Sequence, residues 1–142
     1  MKVSARNKLE GTISTVKPGP VSTEVVMDLG GTDTLVAVIT TESAHKLGLV
    51  PGNRAVGLVK APSVMVVTGA PQYRFSARNQ FAGTVTQVIK GSVNSEVAIR
   101  LTGGSTIYAV VTNDAVAELQ LAPGQSATAL IKASQVIVGV AA

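Results

Sequence analysis

Arg6 and Lys60 are the residues on which chemistry could rest, because each has a twin at one fixed offset, Arg78 and Lys132, 72 residues on. Small hydroxyl residues repeat with them: Ser4 with Ser76, and Thr40 with Thr112. Ser43 joins Thr40 at an expected helix start, where its counterpart is Ala115. An arginine supplies a planar fork of N–H donors and a lysine a compact charge, and hydroxyls complete a shell that suits a tetrahedral oxyanion. A helix start adds unpaired N–H groups and partial positive charge. On composition alone the plainer alternative, Arg6 and Lys60 as solvated charges at strand ends, stands level with this reading.

The elements that must hold these residues are written twice. Ser4-Ala5-Arg6-Asn7 returns as Ser76-Ala77-Arg78-Asn79, and laying Ser4–Thr68 over Ser76–Val140 without a gap gives 27 identities in 65 pairs. The 142 residues therefore divide into two units, 1–70 and 71–142, joined by Gly69-Ala70-Pro71-Gln72. At 46% hydrophobic the chain is globular, and with no cysteine it has neither disulfides nor thiolate metal sites, which favours an intracellular protein. Met1-Lys2-Val3-Ser4 carries no apolar signal-peptide region, and no apolar run is long enough to span a bilayer. The net charge of +4 favours anionic partners.

Within each unit the pattern is β-rich. Leu9 to Val16 and Phe81 to Ile89 read as strands closed by Lys17-Pro18-Gly19-Pro20 and Lys90-Gly91. Thr23 to Leu29 and Ser95 to Leu101 alternate apolar and polar, placing Glu24 and Glu96 outward. Gly30-Gly31 and Gly103-Gly104 are expected to supply positive φ in hairpins leading to third strands, Leu35 to Ile39 and Ile107 to Val111. Thr40-Thr41-Glu42-Ser43 and Thr112-Asn113-Asp114-Ala115 open short helices that Pro51-Gly52 and Pro123-Gly124 close. Ala55 to Lys60 and Ala127 to Lys132 are fourth strands; Val64 to Val67 and Val136 to Val140 are fifth strands. Five strands with a helix between the third and fourth predict an all-β chain with short helices, two tandem OB-fold-like Greek-key β-barrels. With aromatics only 3% of the chain, branched aliphatics must fill them, with Met27 and Met65 as further core.

Two other function classes fare worse. Nucleic-acid binding by an OB module is the runner-up, but base stacking needs exposed aromatics, and only Tyr73, Phe75, Phe81 and Tyr108 exist. For an enzyme, His45 aligns with Ala117 and lies outside the repeated design, while Glu24 and Glu96 show no partner that would perturb them.

Ser-Ala-Arg-Asn followed by Gly-Thr, then Ala-Val-Ile-Thr-x-x-Ser, Leu-Gly-Leu, Pro-Gly and Val-Lys-Ala-Pro resembles the Mop domain of molbindins, and two copies resemble the tandem, di-Mop form. That resemblance implies an OB-like fold and a cytoplasmic homotrimer that binds molybdate or tungstate for storage, buffering or homeostasis of molybdenum. It implies no catalysis; no cofactor, no directly ligated metal, no nucleic acid and no membrane are expected. By motif it assigns the oxyanion to Ser4, Arg6, Thr40, Ser43, Lys60 and Ala61, and to Ser76, Arg78, Thr112, Ala115, Lys132 and Ala133. Ala115 departs from the pattern, so two unequal pockets are expected. A second class of site falls on the turns, at Gly19, Val21 and Ser22 and at Gly91, Val93 and Asn94, where backbone N–H groups can nest an anion.

Overall fold

Strict alternation makes the first strand. In β1 (Asn7–Pro18), Asn7, Leu9, Gly11 and Ile13 turn inward while Lys8, Glu10 and Ser14 face solvent. The computed structural model describes residues 1–70 and 72–142, so Pro71 of the expected linker lies outside the described residues. In it β1 pairs antiparallel with β2 (Ser22–Gly30) and, along its other edge, with β4 (Arg54–Val59). β2 in turn pairs with β3 (Asp33–Thr40), which leads into helix α1 (Thr41–Leu47). The second unit repeats this order with β6 (Asn79–Lys90), β7 (Asn94–Leu101), β8 (Thr106–Thr112), α2 (Asn113–Leu119) and β9 (Ser126–Ile131).

The fifth strands exchange. β5 (Val64–Val67) follows a 3-10 turn, Ala61–Ser63, and pairs with β9 of the second unit, while β10 (Ile137–Val140), after the turn Ala133–Gln135, pairs with β4 of the first. Two curled sheets result, in the orders β10-β4-β1-β2-β3 and β5-β9-β6-β7-β8. Both expected fifth strands exist, and each completes the other unit's OB-like barrel. Val64 and Val136 are almost fully buried, and Val136 packs beside Gly57 of the first unit. Each such burial contributes about 1.5–3 kcal/mol, so the exchange ties the folding of one unit to the other.

The core is one contiguous cluster through both units, led by Ile13, Val25, Met27, Leu35 and their counterparts Val85, Val97, Ile99 and Ile107. Met65, expected inside, is instead exposed, because it falls on the outward phase of β5 beside the buried Val64. Gly30, Gly31 and Gly104 take positive φ as the hairpins require, but Gly103 does not. Its lack of a side chain serves a different purpose: a Cβ there would collide with the carboxylate of Asp33, which reaches across from the first unit.

Candidate oxyanion-binding site

The Ser-Ala-Arg-Asn arms enter their sheets at Asn7 and Asn79, which stand opposite Val59 and Ile131 in the ladders. Arg6 and Lys60 therefore flank one end of the β1–β4 ladder, and Arg78 and Lys132 flank the matching end of β6–β9. The arm is anchored by its asparagine. Asn7 Nδ2 donates to the Tyr108 carbonyl at 2.8 Å and the Tyr108 N–H donates to Asn7 Oδ1 at 2.7 Å. Asn79 does the same to Val36, at 2.8 and 2.7 Å. Each buried carboxamide thus satisfies the outer edge of the other unit's third strand, where backbone groups would lack a partner.

Each arginine crosses to the other unit as well. Arg78 meets Glu24 end-on, its Nη1 and Nη2 donating to the carboxylate at 2.6 and 3.2 Å. Arg6 meets Glu96 side-on through Nε and Nη2, at 3.4 and 3.3 Å, and its guanidinium carbon lies 3.7 Å from the Tyr108 ring centroid. So Glu24 and Glu96, read from sequence as lacking partners, are the arginines' counter-ions. The hydrogen bond from Arg78, followed by the charges of Arg78 and Lys17, holds the Glu24 carboxyl below the usual carboxylate range against partial burial. The repeat carried this signal, since two acids and two bases recur in one register, but alternation showed only that the acids face outward.

Ser4 and Lys60 come together. They line one cleft of about 600 Å³ with Ser63 and with Ser134 and Gln135 of the second unit. The two 3-10 turns meet there, Ser63 Oγ lying 3.4 Å from Gln135 Oε1. Lys60 and Lys132 precede these turns as exposed caps, while Ala61 and Ala133 are buried in them. Ser76 and Arg78 are exposed like Ser4 and Arg6, and Arg78 borders a separate polar cleft with Asp33, Asn79 and Gln80. Ser63, Ser134 and Gln135 line the first cleft, and Tyr108 and the two asparagines hold the arms, roles that the motifs alone do not mark. The 3-10 turns and the strand exchange that gather them leave no period in the sequence.

The helix starts hold the remaining hydroxyls, and they are not open rows of donors. Thr40 Oγ1 accepts from the Ser43 N–H at 3.1 Å and donates to Ser43 Oγ at 2.7 Å, and Thr112 Oγ1 accepts from the Ala115 N–H at 3.1 Å. The Thr41 and Asn113 N–H groups donate to Val21 and Val93 carbonyls, both at 2.9 Å. Capping thus uses the donors that an anion would need, and none of Thr40, Ser43, Thr112 or Ala115 lines the Ser4–Lys60 cleft. The turns at Gly19, Val21 and Ser22 and at Gly91, Val93 and Asn94 lie against these helix starts. Gly19 and Gly91 spend their own N–H groups on Ser22 and Asn94 carbonyls, at 3.0 and 2.9 Å, while Val21 and Val93 are exposed.

The TOBE domain matches residues 3–66 and 76–138. A crystal structure described as the cytoplasmic molybdate-binding protein ModG, with molybdate bound, superposes with a TM-score of 0.95 at 52% identity, covering 99% of this chain and 100% of that one. The molybdenum transport protein ModE of Herbaspirillum seropedicae is 46% identical over 140 residues, and the molybdenum-pterin-binding protein MopA of Rhodobacter capsulatus 42% over 137. The alignments take in 99% and 96% of this chain, which spans about half the length of these relatives, 52% of each. With matches in both repeats, the chain belongs to the TOBE-domain family, in its tandem form.

Proposed function

We propose that the chain binds molybdate or tungstate, as oxyanion and not as a ligated metal, and serves to store or buffer molybdenum in the cytoplasm. The observation that carries the reading is the likeness along the whole chain, repeat for repeat, to a protein that holds molybdate. The local chemistry agrees with it. Arg6 and Lys60 at one ladder end, with Ser4 beside Lys60, offer fork, point charge and hydroxyl for a dianion; Arg78 and Lys132 stand at the matching end of the second ladder, with Ser76 in the arm before Arg78. Thr40, Ser43, Thr112, Ala61 and Ala133 complete the proposed shells, with Ala115 the break, and the turns carry the second class.

The chain binds and does not catalyse. Glu24 and Glu96 are each held by an arginine and His45 is exposed, so none of them is set up for acid–base work. A nucleic-acid role is not favoured: Phe81 is buried and Tyr108 lies under Arg6, leaving Tyr73 and Phe75 as the exposed rings. No helix among the described residues is long and apolar enough to cross a membrane. Because the Ser4–Lys60 cleft takes none of the helix-start hydroxyls, we assign the complete site to contacts between chains of a homotrimer. Calorimetric titration with molybdate, tungstate and sulfate tests the binding, and light scattering tests the assembly. The expected result is a trimer that takes up the first two and not sulfate; absence of heat with molybdate removes the reading.

A further inference from the structure

The two arginines are equivalent in sequence and unequal in space. Arg78 has both terminal amino groups turned onto Glu24, so an anion must displace a carboxylate already bonded at 2.6 Å or settle for the fork's outer edge. Arg6 touches Glu96 along its Nε–Nη2 side at longer range, which leaves the Nη1 end of the fork directed elsewhere. What permits this is the ring beneath it. The Tyr108 ring centroid lies 3.7 Å from the Arg6 guanidinium carbon, an uncharged support that fixes the plane of the cation. The residue in register with Tyr108 is Val36, which has no ring to offer Arg78.

We propose that Tyr108 is a positioning residue that makes Arg6 the stronger and Arg78 the weaker oxyanion-receiving arginine. The inference rests on the oxyanion-binding reading and adds to it a cause for inequality between sites. Fixing the guanidinium before the anion arrives lowers the ordering cost of binding, and a stacked arginine retains its in-plane donors.

Calorimetry with molybdate on the full chain, alongside thermal melts, tests this with three substitutions. Wild type should show two phases of unequal affinity. Tyr108→Val gives the second unit the residue that the first unit already carries, and should weaken the tighter phase about three- to ten-fold. Tyr108→Phe keeps the ring and should retain that phase. Arg6→Ala with Tyr108→Val should be no weaker than Arg6→Ala alone, since Tyr108 acts through Arg6; a merely structural tyrosine would add its loss to that of the arginine. Two phases that survive Tyr108→Val, or an equal loss in Tyr108→Phe, would overturn the inference and leave molybdate binding intact. A wild type that takes up no molybdate overturns both. Should Tyr108→Val melt early, Tyr108→Leu, which keeps apolar bulk without a ring, takes its place in both comparisons and should weaken the tighter phase in the same way.

Discussion

The side chain of Asn7 completes a strand edge: its carboxamide both donates to and accepts from the backbone of Tyr108, at 2.8 and 2.7 Å, one unit away. Asn79 and Val36 repeat the relation, so two amides close the outer edges of β8 and β3. Asn7→Leu and Asn79→Leu keep the branched shape at Cγ and strand two backbone groups each. Each should cost about 2–4 kcal/mol in urea unfolding, with a single transition because the core is continuous. Losses under half a unit of that scale would show that water replaces the amide.

Glu24 and Arg78 make stability depend on pH in one direction. The folded Glu24 carboxyl titrates below its unfolded value, so the pair's contribution is full above the unfolded value, roughly pH 4.3, and fades as pH falls through the folded one. Glu24→Gln should flatten the melting temperature between pH 5 and pH 3, on the order of that window, relative to wild type. A parallel decline in both proteins would place the acid sensitivity elsewhere.

Much of this was readable in the letters, and the misses have physical causes. Thr23 to Leu29 announces its inward face because charges mark the opposite phase. Val64-Met65-Val66-Val67 has no such marker, so apolarity alone places Met65 inward where it stands outward. The exchange of β5 and β10 left no trace for a related reason: both are short apolar runs, Val64–Val67 and Ile137–Val140, with no charge to name the neighbouring strand. The arginine–glutamate pairs could have been read from the repeat, since opposite charges kept in one register call for each other. Tyr108 could not, because its role depends on a single break in that repeat.

Helix α1 ends at Gly48 with φ of 63°, and α2 ends at Gln120 with φ of 53°. Glutamine has a Cβ that the left-handed region disfavours, partly offset by glycine's greater freedom in the unfolded chain. Gln120→Gly should therefore stabilise by roughly 0.5 kcal/mol, and Gly48→Gln should cost roughly 1 kcal/mol. Paired thermal melts read both, and a destabilised Gln120→Gly would mean that the side chain contributes contacts worth more than the strain.

Gly103 and Asp33 test the junction of the two hairpins. A Cβ at residue 103 meets the Asp33 carboxylate, whose Oδ2 is buried without a hydrogen-bond partner among the described residues. Gly103→Ala should cost about 1–3 kcal/mol through overpacking. Asp33→Ser, which adopts the residue in register at Ser105, should recover most of it in the double variant. If the losses simply add, the two residues do not touch in solution.

Thr40 and Ser43 settle how much one hydroxyl matters to the anion. In the first unit Thr40 donates its proton to Ser43 Oγ, so the hydroxyl proton that remains for an anion is the serine's. In the second unit Ala115 has no side-chain oxygen to accept, and Thr112, which still caps its helix, retains a hydroxyl proton to offer the proposed anion. The count of hydroxyl protons left over is therefore the same in both, so the break at Ala115, from which the sequence predicts unequal pockets, does not by itself make them unequal. Ser43→Ala should weaken oxyanion binding by less than about ten-fold, below the ~1.4 kcal/mol that a wholly lost hydrogen bond to a dianion would exceed. Thr40→Val removes the cap as well as the relay, leaves the Ser43 N–H unpaired, and should weaken binding and stability together, the latter by about 1 kcal/mol. A Ser43→Ala loss well beyond ten-fold would mean that Thr40 cannot turn outward, and that the serine alone reaches the anion.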